Sequence, residues 1–381
     1  MNAQNLDNKP KVKKESKNKI KVEFDRTPLK ERLKAKFLST YFLTKIIVYI
    51  FRLTLLIGVS YIVLFPFFSK ISGSFMAPED FIDVTVRLIP KNFTLDIYKA
   101  IWTELDYLSA FKNTLILSIS TALIQTFICS FIAYGLAKFK FKGNGILFLL
   151  VIFSLVVPHQ TLKLSMYMEF RYFDILGIVQ FLTGGGIDLL GFHIPVLDGV
   201  RLLPEAWDKF TTSGIQLTNT YWPLIILSAT GLAFKNGLYI FMLRQFFKGV
   251  PDELEESAYI DGSGVIHTFF KIILPISVPM MITVFLFSFS WQWTDNFYTD
   301  FLFPTTDTLL MPKIINIPAS LTTDYPGQNL YYAAIRNTCG LMIIAPMVII
   351  TPVVKHLNLL LSALSLSSQL RANEYARKTW V

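Results

Sequence analysis

Five carboxylates, Asp252, Glu253, Glu255, Glu256 and Asp261, fall within ten residues that hold no basic side chain, and strongly apolar segments lie on either side. A carboxylate such as Glu256 can receive an arginine in two parallel hydrogen bonds or accept from free backbone N–H groups. The neighbouring residues prescribe how such a group is presented. Pro251 suits the first position of a helix, where a missing N–H costs nothing. Asp252 and Glu253 set negative charge on the positive end of the helix dipole. Leu254 and Ala258, four apart, share one face, which turns Glu255 and Glu256 elsewhere. Gly262 can end the helix and Ser263 can cap a second one, while Leu274-Pro275 marks the entry into an apolar segment. The expectation is a knob of two short helices broken at a glycine, lying on a membrane surface.

Other chemistry finds less support. An intramembrane enzyme would need a polar constellation at depth, and His159, Asp295, Ser154 and Ser290 are the only candidate members. None has a partner at a spacing such as H-E-x-x-H, and the four histidines and two cysteines form no metal-ligand pattern. No G-x-x-x-x-G-K-S/T occurs, so the usual loop that cradles ATP phosphates is missing. His159-Gln160 reads as a pair at the outer interface that bonds neighbouring helices, with contact to a solute as the rarer use. Trp291, Trp293, Tyr298 and Phe301 fit an interfacial aromatic belt, though sugars also stack their C–H faces on such rings.

The elements that must carry these groups are membrane spans. The chain of 381 residues is 52% hydrophobic and holds 34 phenylalanines. A hydrocarbon core of about 30 Å takes about 20 apolar residues in a helix. Six stretches qualify: Ile46–Phe68, Phe111–Ala137, Gly145–Leu162, Trp222–Leu243, Ile272–Ser290 and Ala333–Val354. Pro158 in the third and Pro275 and Pro279 in the fifth predict broken or kinked ends. Thirteen basic residues between Lys9 and Lys45, with Lys138, Lys140 and Lys142 and the tail cations Arg371, Arg377 and Lys378, place both termini and the acidic loop in the cytoplasm. The net charge of +9 is thus read as topology and contact with anionic lipid rather than as nucleic-acid binding. Cys129 and Cys339 lie inside spans and read as packing residues. The first apolar run starts only near Ile46, which does not resemble a cleavable signal peptide.

Along the chain we expect a Lys-rich disordered tail over 1–45, with an amphipathic helix over Leu29–Phe42. A first span and an outside segment of strands and turns then cover 46–110, a core with five spans covers 111–358 and contains the loop at 250–275, and a tail covers 359–381. The outside segment from Val179 to Ile215, with Gly184-Gly185-Gly186, has the look of an insertion. Tyr298 to Tyr332, with Pro304, Pro312, Pro318 and Pro326, predicts a stiff outer loop edged by Tyr325, Tyr331 and Tyr332.

Glu256-Ser257-Ala258, Gly262 and Ile272-Ile273-Leu274-Pro275 follow the spacing of the EAA loop of binding-protein-dependent ABC importer permeases, which this stretch resembles. Ser257 stands where the family carries alanine. Asn219-Thr220-Tyr221-Trp222, Leu243-Arg244-Gln245-Phe246-Phe247 and Trp291 to Phe297 resemble landmarks of its sugar-importing branch. The likeness runs from about Phe111 to Asn358 and departs at the insertion and in the tail after Pro352. It implies an all-α polytopic membrane protein with six transmembrane helices and the type I, MetI-like permease fold. It assigns coupling to an ATPase to Glu255, Glu256, Ser257, Ala258, Asp261, Gly262, Leu274 and Pro275. The substrate path would hold His159, Gln160, Trp291, Trp293 and Asn296. It further implies a second permease subunit, two ATPase subunits that bind the ATP, an extracytoplasmic solute-binding protein, and no cofactor in this chain. The implied cargo is a sugar or oligosaccharide; polyamine or phosphate-ester importers share the loop and are the alternative.

Overall fold

The structure, a computed structural model, describes residues 40–173, 187–189, 192–194, 216–233, 235–305, 308–324 and 327–379. The chain forms two compact units, Met1–Phe67 and Phe68–Val381. The first is described from Thr40 onward, as part of one helix, α1 (Thr40–Gly73), whose residues from Phe68 on belong to the second unit. Thr44–Gly73 is long and apolar enough to cross a membrane. The Lys-rich tail and nearly all of the amphipathic helix expected over Leu29–Phe42 lie outside the described residues, as do Gly184–Gly186 and Tyr325.

The second unit begins with a segment that is more helical than expected. An isolated bridge between Met76 and Phe93 encloses a turn at Pro78–Phe81, and helix α2 (Asp96–Glu104) follows. Asp80 organises it: the buried carboxylate accepts from the backbone N–H groups of Lys91 and Asn92 and from the Asn92 side chain. A strand pattern read along one segment misses such an internal carboxylate anchor.

Helix α3 (Tyr107–Lys138) is the axis of the fold. Its buried face carries Ala110, Thr114, Ser118, Ala122, Ser130 and Ala133, small residues that let neighbouring backbones approach closely. Thr121, Thr126 and Ser130 turn their hydroxyls back onto the carbonyls of Leu117, Ala122 and Phe127, which satisfies these three groups inside the bundle.

The third apolar stretch breaks where proline predicted. Helix α4 (Asn144–Val156) stops before Pro158, and after a turn at His159–Leu162 helix α5 (Lys163–Arg171) leaves at 92°. A short antiparallel hairpin, Ile187–Leu189 with Phe192–Ile194, lies in the stretch read as an insertion.

The fourth stretch corrects an expectation. Trp222–Leu243 is not one spanning helix but α6 (Trp222–Ala229) and α7 (Asn236–Lys248). The break is made by Gly231, whose φ of 76° is left-handed, after which the N–H groups of Leu232 and Ala233 both return to the Leu227 carbonyl. Hydropathy over a window cannot see one positive φ. Four helices of the described residues can cross a membrane, or five when α4 and α5 count as one bent span, rather than the six expected.

Helix α8 (Glu253–Ile260), α9 (Val265–Thr268), a π turn at Phe269–Ile273 and α10 (Leu274–Trp293) follow. Then come α11 (Phe297–Leu302), turns at Met311–Ile314 and Ala319–Leu321, and α12 (Gln328–Thr379). Three apolar clusters hold the unit. One joins α2, α3, α10 and α12 around Trp293 and Cys339; another joins α3, α7, the π turn and α10 around Cys129 and Tyr134; the last gathers α5, α6 and α11 against Leu117. Both cysteines are buried packing residues.

Candidate functional site

The acidic loop forms the expected knob, but turned differently. Pro251 lies before the helix; Asp252 is the N-cap and Glu253 the first residue of α8. Gly262, at φ 82°, ends the helix, and the N–H of Ser263 reaches back to the Ala258 carbonyl. Gly264 rather than Ser263 precedes α9, and Ser263 Oγ instead meets Thr268 Oγ1 at 3.1 Å. The inward face of α8 is Glu255, 7% exposed, and Ala258, 5% exposed. Leu254, expected to pack beside Ala258, is 38% exposed.

The reason is Lys138, the last residue of α3, whose side chain is 5% exposed. Its Nζ donates to the Val250 carbonyl at 2.6 Å and to Asp252 Oδ1 at 2.6 Å, and lies 3.5 Å from Glu255 Oε1. A buried cation draws Glu255 inward, and helical geometry then turns Leu254 out. Burial raises the Glu255 carboxyl above its usual range, against the pull of Lys138. The hydrogen bond from Lys138 lowers that of Asp252. Glu256, Ser257 and Asp261 are exposed, as are Tyr259, Ile260 and Ile266. The outward face therefore mixes carboxylates with bare apolar side chains.

Leu274 and Pro275 do not start a separate helix. The helical run passes from Val265 to Trp293, and Leu274 N–H bonds to the Phe269 carbonyl five residues back. A π turn here accommodates a proline that has no N–H and crowds the preceding turn. The knob thus continues directly into α10.

Of the residues expected on a substrate path, Trp291 and Asn296 meet in a cavity of about 260 Å³ that Gln125, Lys235, Tyr239, Ser288, Gln292 and Asp295 also line. The Tyr239 and Trp291 rings stack at 6.0 Å, with Lys235 Nζ 4.6 Å from the Trp291 ring centre. Behind them runs a buried belt the sequence reading missed: Gln125 Nε2 donates to Ser228 Oγ at 3.1 Å, and Ser288 Oγ donates to Gln125 Oε1. A glutamine in an apolar span was the available signal. Asp295 accepts from the N–H groups of Tyr298 and Thr299, and burial lifts its carboxyl to about 6.

Trp293 does not join them. It is fully buried, with its indole N–H on the Ile343 carbonyl at 2.8 Å, and is a core residue. His159 lines a separate, mostly apolar cavity of about 510 Å³ between α3, α4 and α7, and Gln160 is exposed without lining either cavity.

The segment from Tyr298 to Tyr332 is anchored by hydrogen bonds to distant elements, while Pro312 and Pro318 stand at the starts of its two short turns. Asn219, at φ 63°, donates its N–H to Leu302, accepts Thr305 N–H on Oδ1 and Thr308 Oγ1 on its carbonyl. Thr114 Oγ1 takes the N–H of Met311. Tyr331 is buried in the core rather than at the edge of the loop, and the half-buried Tyr332 bonds Thr323 within it.

These features define a multi-pass helical membrane protein with a two-helix knob at one end and a polar cleft within. Residues 125–365 match the family described as binding-protein-dependent transport system inner membrane component, and the chain belongs to that family. Among curated relatives, Protein LplC of Bacillus subtilis is 30% identical over 241 residues, 63% of this chain and 65% of LplC. The polygalacturonan/rhamnogalacturonan transport system permease protein YtcP of Bacillus subtilis is 30% identical over 58% of this chain and 60% of YtcP. The arabinooligosaccharides transport system permease protein AraQ of Halalkalibacterium halodurans is 25% identical over 71% of this chain and 80% of AraQ. The alignment thus spans under two thirds of LplC and YtcP. A solved bacterial ABC transporter involved in the import of the acidic polysaccharide alginate has the same fold, with a TM-score of 0.56 at 16% identity over 82% of this chain and 97% of that one.

Proposed function

We propose that this chain is a permease subunit of an ATP-driven, binding-protein-dependent importer for a sugar or oligosaccharide, and that α8 and α9 dock an ATPase subunit. Family membership and saccharide-transporting relatives support the cargo class. The observation that carries the docking is the outward face of the knob, where Ile260 is 86% and Ile266 64% exposed beside Glu256 and Ser257. Exposed apolar side chains ringed by carboxylates are what a cleft lined with arginine and apolar residues receives. ATP is bound by that partner. A second permease completes the translocation path, and an extracytoplasmic solute-binding protein delivers cargo to the side of the anchored loop near Asn219. Both termini and the knob face the cytoplasm, where Lys138, Lys140 and Lys142 cluster.

Within this subunit, Trp291, Gln292 and Asn296 offer a ring and amides to a passing sugar, with the buried Tyr239 ring stacked behind Trp291. Replacing Glu256 by Lys is expected to release the ATPase subunits from the detergent-solubilised permease, or to let ATP hydrolysis run without uptake, while the chain still inserts. Undiminished ATP-driven uptake in that variant overturns the docking assignment.

A further inference from the structure

We infer that Lys138 is a positioning residue that clamps the docking helix α8 to the end of α3, so that knob and helix move as one body. The inference rests on the docking reading above and adds a part that sequence order does not suggest. The knob lies in the connection between α7 and α10, which alone would pass its motion only to those two helices. Lys138 opens a third route. Its buried ammonium holds the Val250 carbonyl, Asp252 Oδ1 and the Glu255 carboxylate, on the approach to α8 and on its first turns.

The surroundings stiffen the joint. Tyr134, one turn before Lys138, packs on Phe269 at 4.8 Å and on Phe247 at 5.8 Å, so α3 touches both the π turn and the end of α7. Arg244 of α7 donates from Nε to the Leu136 carbonyl at 3.2 Å, with its guanidinium 3.7 Å from the Phe148 ring centre on α4. Two cations thus tie the ends of α3, α4 and α7 together under the knob. Asp252 is 78% exposed, but the Lys138 ammonium and the Glu255 carboxylate, with side chains 5% and 9% exposed, are removed from water and part only by stranding both charges, so the clamp resists the pull of docking. Because α3 carries Gln125, motion at the knob reaches the polar belt and its cavity through one continuous helix.

The clamp is tested by distance measurement in the assembled transporter, with spin labels at Leu123→Cys on α3 and Glu253→Cys at the start of α8, both exposed in this chain and outside the proposed docking face. A singly labelled control accounts for the buried native cysteines. With Lys138 intact, one narrow distance is expected, unchanged between the nucleotide-free and ATP-vanadate states. Lys138→Met should broaden it and shift it by several ångströms on trapping, and Lys138→Arg should restore the narrow distance. Should Lys138→Met fail to insert, Asp252→Asn with Glu255→Gln removes the same clamp from the other side, and the same broadening is expected. A distance as narrow and constant in the clamp-free variants as with Lys138 intact overturns the inference, as does a parental distance that shifts with nucleotide. Failure of the docking reading shows separately: the ATPase subunits would then not co-purify with the unaltered chain, while the nucleotide-free distance still reports on the clamp.

Discussion

At the residue scale, the knob depends on one backbone conformation and one buried charge. Gly262 has a φ of 82°, and a Cβ there would meet nothing within 4 Å, so the only objection to a side chain is conformational. Gly264, two residues on, is equally open but extended, at φ −77°. Gly262→Val should therefore cost about 1–2 kcal/mol in the turn and loosen ATPase attachment, whereas Gly264→Ala should leave it intact. Co-purification of the ATPase with each variant checks the pair; equal retention would show that the left-handed turn is dispensable. The same scale explains why Leu254 misled. Apolar spacing is a sound guide to the buried face of a helix when its partner is apolar. Here the partner offers an ammonium, and a carboxylate is drawn in instead.

Among elements, the informative features are breaks and close approaches. Gly237 of α7 lies against α4, where a Cβ would come within 2.5 Å of Ser154 Oγ and 2.9 Å of the Val151 carbonyl. Backbone cannot yield as a flexible side chain does, so Gly237→Val should push α4 away from α7 and destabilise the permease by about 1–3 kcal/mol. The thermal midpoint of the detergent-solubilised protein reports the loss, and an unchanged midpoint would mean that the helices do not approach so closely. The glycine at 231 acts differently, by ending α6. The π turn before Pro275 has yet another consequence, since it keeps the knob and α10 in one helical run where a plain proline stop would have separated them. Proline thus marked a true break at 158 and none at 275. The difference lies in whether the preceding turn could widen.

For the whole molecule, the proposed sidedness is directly measurable. Lys140 and Ser320 are both exposed, one beside the end of α3 and the other in the anchored loop. A membrane-impermeant maleimide applied to whole cells should label Ser320→Cys and spare Lys140→Cys. The reverse pattern would put the knob outside and remove the proposed ATPase contact. The bond between Lys138 and Asp252 already places the short basic loop and the knob at one end of the unit.

The sequence by itself determined the class of this protein, because lipid leaves few solutions: apolar stretches near span length must be helices, and basic loops sort by side. It also determined the knob, since an acidic first turn, a left-handed glycine and the spacing to Leu274-Pro275 act locally. Only the tertiary structure decided which way the knob faces, that Trp293 is core while Trp291 lines a cavity, and that Asn219 anchors a loop some 86 residues away. It also decided that Trp222–Leu243 is two helices. Each of these rests on a partner distant in sequence or on a single positive φ, and neither leaves a periodic trace along the chain. Lys138 shows the limit most plainly. As a residue it is one of many cations that orient the spans, and only its burial against Val250, Asp252 and Glu255 makes it a structural joint.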